Sequence, residues 1–142
     1  CWSRKKLTEL VEEKGLSDQL LLPGSIDNVA DAIYKARIFV LSSNSEGVPN
    51  TLIEAMVMGL TVISTDCPCG GPADLIQNGK NGILTPVGDI VSMREHLRNL
   101  LEDTKMADAL GMEAAKTAEI YRPENVYGAW EKFLLSLLKN MP

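Results

Sequence analysis

Short apolar runs separated by stretches of helical spacing organise this chain. Leu20-Leu21-Leu22, Ile38-Phe39-Val40-Leu41, Thr61 to Ser64 and Gly82 to Leu84 are short and apolar rather than alternating in polarity. Such runs predict strands covered on both faces, as in a parallel sheet. Around them the period turns helical. Leu7, Leu10 and Val11 predict a helix over residues 3–14, with Ser3 as a candidate cap and Gly15 as its stop. Asp27 or Asn28 can cap a helix through Val29, Ile33 and Ala36. Pro49 suits the first turn of another helix, carried forward by Leu52, Ile53 and Met56. A bend at Pro68 to Pro72 leads to a short helix near Ala73 to Gln77. Three helices close the chain: one capped by Asp89 and running to Leu101, one over about 105–119, and one from Pro123 carrying Val126, Trp130, Phe133 and Leu137. Strands alternating with helices predict an α/β fold: a Rossmann-like, three-layer domain with a parallel sheet and C-terminal helices.

Composition narrows the function. At 142 residues and 45% hydrophobic, the chain can bury a core, and 5% aromatic residues make that core aliphatic. With 14 Lys and Arg scattered among 19 acids and a net charge of −5, no basic stripe is available and nucleic acid is not an expected partner. No apolar run approaches the roughly 20 residues of a membrane span. Cys67 and Cys69 flank Pro68 and cannot complete a four-ligand metal cage with the single His96, so no metal is expected. A reducing, cytoplasmic setting is the simpler inference, with membrane association of a longer protein left open.

The chemistry concentrates around residues 46–56. Glu46 precedes the expected helix start at Pro49, and Glu54 rides on the helix. A helix N-terminus offers free N–H groups and the positive end of a dipole, a seat for phosphate. Two carboxylates near a phosphate make sense if they point past it at hydroxyl groups, since an ionised carboxylate accepts hydrogen bonds and can take two adjacent O–H donors. Phosphate at the centre and polyols at both ends describe a nucleotide sugar. On spacing alone the plainer reading prevails: an acid near a helix start and an exposed one, each worth a fraction of a kcal/mol.

The surrounding residues shift that balance. Ser43-Asn44-Ser45-Glu46-Gly47-Val48-Pro49-Asn50, then Glu54-Ala55-Met56 and Gly59-Leu60-Thr61-Val62-Ile63, resemble the E-x7-E region of retaining glycosyltransferases with the GT-B fold, particularly family 4. The likeness continues through Ser64-Thr65-Asp66-Cys67-Pro68-Cys69-Gly70-Gly71-Pro72, Asn81-Gly82-Ile83-Leu84 and Pro86-Val87-Gly88-Asp89, and is strongest from Pro23 to Asp89. Thr61 stands where such proteins usually have proline.

The resemblance implies one half of a GT-B fold, the donor-binding C-terminal domain, over residues 1–142. An earlier strand, a basic phosphate clamp and an amino-terminal acceptor domain are expected partners upstream, so the chain reads as N-terminally truncated and inactive alone. It further implies that Glu46 is catalytic, contacting the transferred sugar and supporting charge at the reacting carbon. Gly47, Val48, Pro49 and Asn50 would bring backbone to sugar and phosphate, Thr51 and Leu52 would offer N–H groups to the pyrophosphate, and Glu54 would hold the ribose hydroxyls. Ser25 and Ile26, in the loop after the first apolar run, would lie against the base; an ordinary glycine turn is an equal reading there. The donor would be of UDP or GDP type, the acceptor a glycan or glycolipid. Proteins with the Asp66 to Pro72 pattern often build bacterial surface polysaccharides, which makes that the expected setting by analogy.

Other residues are better read as structural. The Asp66 to Pro72 loop suits a tight strand-to-helix connection. His96 suits a solvated helix face. Trp130 and Phe133 suit packing, with part of the last helix's apolar face exposed where GT-B proteins cross to the partner domain. Two alternatives remain: a non-catalytic, flavodoxin-like nucleotide-binding or interaction module, and a GT-B sugar-nucleotide epimerase, which would need further acid and base groups.

Overall fold

In the computed structural model, which describes residues 4–139, the elements run α1 (Arg4–Glu13), α2 (Val29–Ile33), β1 (Ile38–Leu41), α3 (Asn50–Val57), β2 (Thr61–Asp66), α4 (Gly71–Leu75), β3 (Ile83–Pro86), α5 (Ile90–Glu102), α6 (Thr104–Ala115), α7 (Thr117–Ile120) and α8 (Pro123–Lys139). The chain divides into two compact units, one ending at Ala32 and one beginning at Ile33.

In the first unit, α1 stops where expected. Gly15 adopts φ +64°, and the Leu16 N–H reaches back to the Val11 carbonyl at 2.9 Å, closing the helix end in a Schellman-type turn. The candidate cap Ser3 lies outside the described residues. Asn28 is the cap of α2, accepting from the Asp31 N–H at 3.3 Å. That helix ends at Ile33 rather than Ala36.

One expectation fails in this unit. Leu20-Leu21-Leu22 form no strand, and Leu20 and Leu21 are 46% and 86% exposed rather than buried. A strand exists through its ladder partner, and the apolar run has none among the described residues, whatever its composition.

The second unit holds a parallel sheet in the order β1-β2-β3. Ile38 pairs with Thr61 and Ile63 with Ile83, so the carboxyl ends of all three strands leave from one edge. β2 is central and buried on both faces. Val62 joins a core of Leu52, Ala55, Met56, Leu60, Leu75, Ile76 and Ala114. Its neighbour Ile63 faces the other way, into Ile83, Leu100, Ala107 and Leu110. Alternation along one strand thus divides two aliphatic cores and gives the three-layer α/β architecture. Each large aliphatic side chain there contributes about 1.5–3 kcal/mol by leaving water. β1 departs from the expectation of a buried strand: among the described residues it pairs on one side only, Ile38, Phe39 and Leu41 are half-buried, and Val40 is 40% exposed.

Thr61 has a structural task. Its N–H donates to the Arg37 carbonyl at 3.1 Å and its Oγ1 to the Ala107 carbonyl at 2.6 Å, fastening α6 to the start of β2. A proline could do neither.

The helices after the sheet are capped by acids. Asp89 accepts from the Ser92 N–H at 3.0 Å and Oγ at 2.6 Å, as the sequence predicts. Asp103, not anticipated, caps α6 through the Met106 N–H at 2.9 Å. The helix expected over about 105–119 breaks at Lys116 into α6 and α7. The Ser92 hydroxyl and then its amide hold the Asp89 carboxyl below the ordinary aspartate range. A depressed folded-state pKa stabilises the fold above the ordinary value, and that contribution is lost as pH falls through the lowered one. Ser92→Ala should therefore move the Asp89 titration midpoint upward in a carboxyl-carbon NMR titration; an unmoved midpoint would discount the hydroxyl.

α8 buries none of its residues. Trp130 and Phe133 meet edge to face at 6.0 Å but remain 60% and 53% exposed, so the packing role expected of them is not made within the described residues. Among those residues, no helix is long and apolar enough to cross a membrane.

Candidate functional site

Three loops leave the carboxyl edge of the sheet: residues 42–49 after β1, 67–70 after β2 and 87–89 after β3. Ligands of parallel α/β sheets settle at this edge. The first two loops are locked together by glycines. A Cβ on Gly71 would lie 1.4 Å from the Gly47 carbonyl oxygen and 3.2 Å from Pro49 Cδ. Only a residue without a side chain lets α4 start so close to the loop that carries Glu46.

α3 begins directly after that loop. Pro49 is buried and its side chain gives no cap hydrogen bond. The Pro49 carbonyl accepts from both Leu52 N–H, at 3.0 Å, and Ile53 N–H, at 3.2 Å. Leu52 N–H is thus engaged within the helix, and Asn50 and Thr51 carry the N–H groups left without an intrahelical acceptor. Leu52, Ala55 and Met56 anchor the other face in the core.

Glu46 is half-buried in the loop, and Ser43 Oγ donates to its Oε1 at 2.5 Å, the short distance of a charge-assisted bond. Glu46 Oε2 has no partner among the described residues. Asn50, Glu54 and Val57 form the exposed stripe of α3, which puts Glu54 one turn, about 6 Å, along from the helix start on the face that Asn50 opens. Glu54 pairs with no cation among the described residues. Val48 is 64% exposed, and a Cβ on Gly47 itself would meet nothing within 4 Å.

The second unit therefore brings together Glu46, Gly47, Val48, Pro49, Asn50, Thr51, Leu52 and Glu54. Ser25 and Ile26 belong to the first unit, in irregular chain after Gly24, with Ile26 41% exposed. Asp66 sits exposed at the end of β2, with Cys67 buried and Cys69 exposed in a left-handed conformation at φ 79°. His96 is half-buried two turns into α5, away from α3 in sequence. Ser43 and Thr65 fall inside the quoted motif without a role assigned there, and only their hydroxyl hydrogen bonds tie them to Glu46.

A surface hollow of about 720 Å³ runs along α8, lined by Tyr127, Trp130, Leu134 and Leu135. It is the surface of one helix and carries none of this chemistry. Among the described residues no three His, Cys, Asp or Glu side chains gather in a metal-binding arrangement.

The chain is similar to known proteins over most of its length. The chain is 29% identical over 135 residues to N-acetyl-alpha-D-glucosaminyl L-malate synthase of Bacillus anthracis, covering 94% of this chain and 35% of that protein. A variant of S. aureus TarM, solved with Fondaparinux, alpha-GlcNAc-glycerol and UDP, superposes with a TM-score of 0.82 at 26% identity, over 91% of this chain and 26% of that one. The C-terminal domain of the group 1 glycosyl transferase LpcC from Francisella tularensis gives 0.72 at 25% identity, over 83% and 61%. Further relatives carry names from polysaccharide and glycan assembly. The chain spans about a third or less of the curated relatives' length. Residues 3–117 match the family of glycosyl transferases group 1, and with a sheet and C-terminal helices matching GT-B C-terminal domains, this chain belongs to that family.

Proposed function

We propose that this domain binds a nucleoside diphosphate sugar across the start of α3 and presents the sugar for retaining transfer to a hydroxyl acceptor, in the assembly of a bacterial surface glycan. The reading is carried by one observation: a braced, half-buried carboxylate just before the helix start and, a turn beyond it, an exposed one with no cation partner among the described residues. The diphosphate rests on the Asn50 and Thr51 N–H groups. Glu54 takes the two ribose hydroxyls, and Glu46 Oε2 takes hydroxyls of the transferred sugar. The TarM complex with UDP supports the nucleotide class.

Charge on the departing diphosphate is met by the helix dipole and fixed N–H groups, so the reading needs no metal. The two acids sit at opposite ends of the donor and do not act as a nucleophile pair; a retaining hydrolase would hold its carboxylates about 5 Å apart. Transfer itself requires an acceptor domain beyond this chain, which alone should bind donor without turnover.

Gly47 supplies an independent argument. Its φ is not left-handed and its missing side chain faces open space, so nothing in the fold demands glycine there. Backbone approaching a ligand does. Gly47→Ala should leave the melting temperature unchanged while weakening nucleotide-sugar binding by about tenfold, from contact with one added methyl group.

Titration calorimetry of the chain with UDP, GDP, UDP-glucose, UDP-N-acetylglucosamine and GDP-mannose tests the reading. Glu54→Ala should cost on the order of 10- to 100-fold in nucleotide affinity, as expected for charge-assisted hydrogen bonds. Unchanged binding would remove Glu54 from the site. Nucleotide binding indifferent to the sugar would favour a non-catalytic module.

A further inference from the structure

The Glu46 carboxylate is held by a two-link hydroxyl chain that begins in the central strand. Thr65 is 4% exposed on β2, and its Oγ1 donates to the Ser43 carbonyl, spanning from the sheet to the loop after β1. The same Ser43 donates its own hydroxyl to Glu46 Oε1 at 2.5 Å. We infer that Ser43 and Thr65 are positioning residues that fix the orientation of Glu46 toward the transferred sugar, an inference that rests on the donor reading above.

A free glutamate has three side-chain torsions and, in an exposed loop, samples many rotamers. Here one oxygen is occupied by Ser43, which aims the other away from that bond and leaves its lone pairs for ligand. Ser43 is in turn held at its backbone, by a hydroxyl that the rigid strand orients. Thr65 is well suited to this, because β-branching restricts its χ1 and burial on β2 excludes competing water. The chain therefore transmits the register of the sheet to a side chain five residues into a loop. Gly71, packed on the Gly47 carbonyl, limits the same loop from the other side.

The test compares how strongly the sugar matters. For each variant, the affinity for UDP-N-acetylglucosamine, UDP-glucose and GDP-mannose is divided by that for the parent diphosphate, and the best-binding sugar is followed. Ser43→Ala should lower this ratio by about tenfold, the value of one charge-assisted hydrogen bond, while diphosphate affinity stays at the wild-type level. Ser43→Thr, which keeps a hydroxyl, should restore it. Thr65→Val, nearly isosteric but without the donor, should lower the ratio as well, and Thr65→Ser should restore it; a role in stability alone would give no such rescue. Glu46→Ala serves as the reference. If Glu46→Ala lowers the ratio and Ser43→Ala does not, the brace is wrong and the donor reading stands. If Glu46→Ala leaves the ratio unchanged, the donor reading itself fails and the brace with it.

Discussion

Gly71→Ala is expected to lower stability by about 3 kcal/mol, or a fall in melting temperature of about 10 °C, and to abolish most nucleotide-sugar affinity in the fraction that still folds. A methyl group placed 1.4 Å from the Gly47 carbonyl oxygen cannot be accommodated by a rotamer change, because both partners are backbone. Either α4 withdraws from the edge of the sheet or the loop carrying Glu46 and Pro49 swings out. In the second case the start of α3 and the Ser43–Glu46 bond move with it. Chemical denaturation together with calorimetry of the folded protein checks both parts. Wild-type affinity in Gly71→Ala would mean that the close approach does not shape the crevice.

Gly111→Ala is expected to cost a similar amount, about 2–3 kcal/mol, with the opposite functional outcome. A Cβ there would lie 2.3 Å from the Gly59 carbonyl oxygen, so α6 would be pushed off the turn that joins α3 to β2. The Thr61 Oγ1 bond to the Ala107 carbonyl, one turn earlier on α6, would be strained with it. This contact is at the amino end of β2, and the loops with Glu46 and Gly71 leave the carboxyl end. The folded fraction of Gly111→Ala should therefore bind nucleotide sugar like wild type. The pair of variants separates loss of fold from loss of site, and equal loss of affinity in both would contradict that separation.

These two contacts also mark where the sequence stopped being informative. A glycine in the sequence does not say what presses against it; Gly71, inside the quoted motif, and Gly111, outside it, both answer to backbone that is distant in the chain. Local signals did better. Asp89 as a cap, Gly15 as a stop, Pro49 ahead of α3 and the apolar content of β2 all depend on neighbours within a few residues, and all were readable. Leu20-Leu21-Leu22 looked as strand-like as Ile38 to Leu41, but a ladder partner decides between them and composition does not name one. α8 was legible as a helix from its period, while the exposure of Trp130 and Phe133 depends on what covers that face. For the candidate site, the acids could be found by motif and spacing. The hydroxyl chain from Thr65 through Ser43 could not, because its first link joins residues 22 positions apart.

The central claim is that a diphosphate lies on the start of α3 with an acid at each end of the donor. A crystal structure of this chain with its best-binding nucleotide sugar tests it most directly. The account predicts phosphate oxygens at about 2.9 Å from the Asn50 and Thr51 N–H groups, ribose hydroxyls on Glu54 and sugar hydroxyls on Glu46. A nucleotide seated elsewhere, with the Glu54 carboxylate left in solvent, would contradict it.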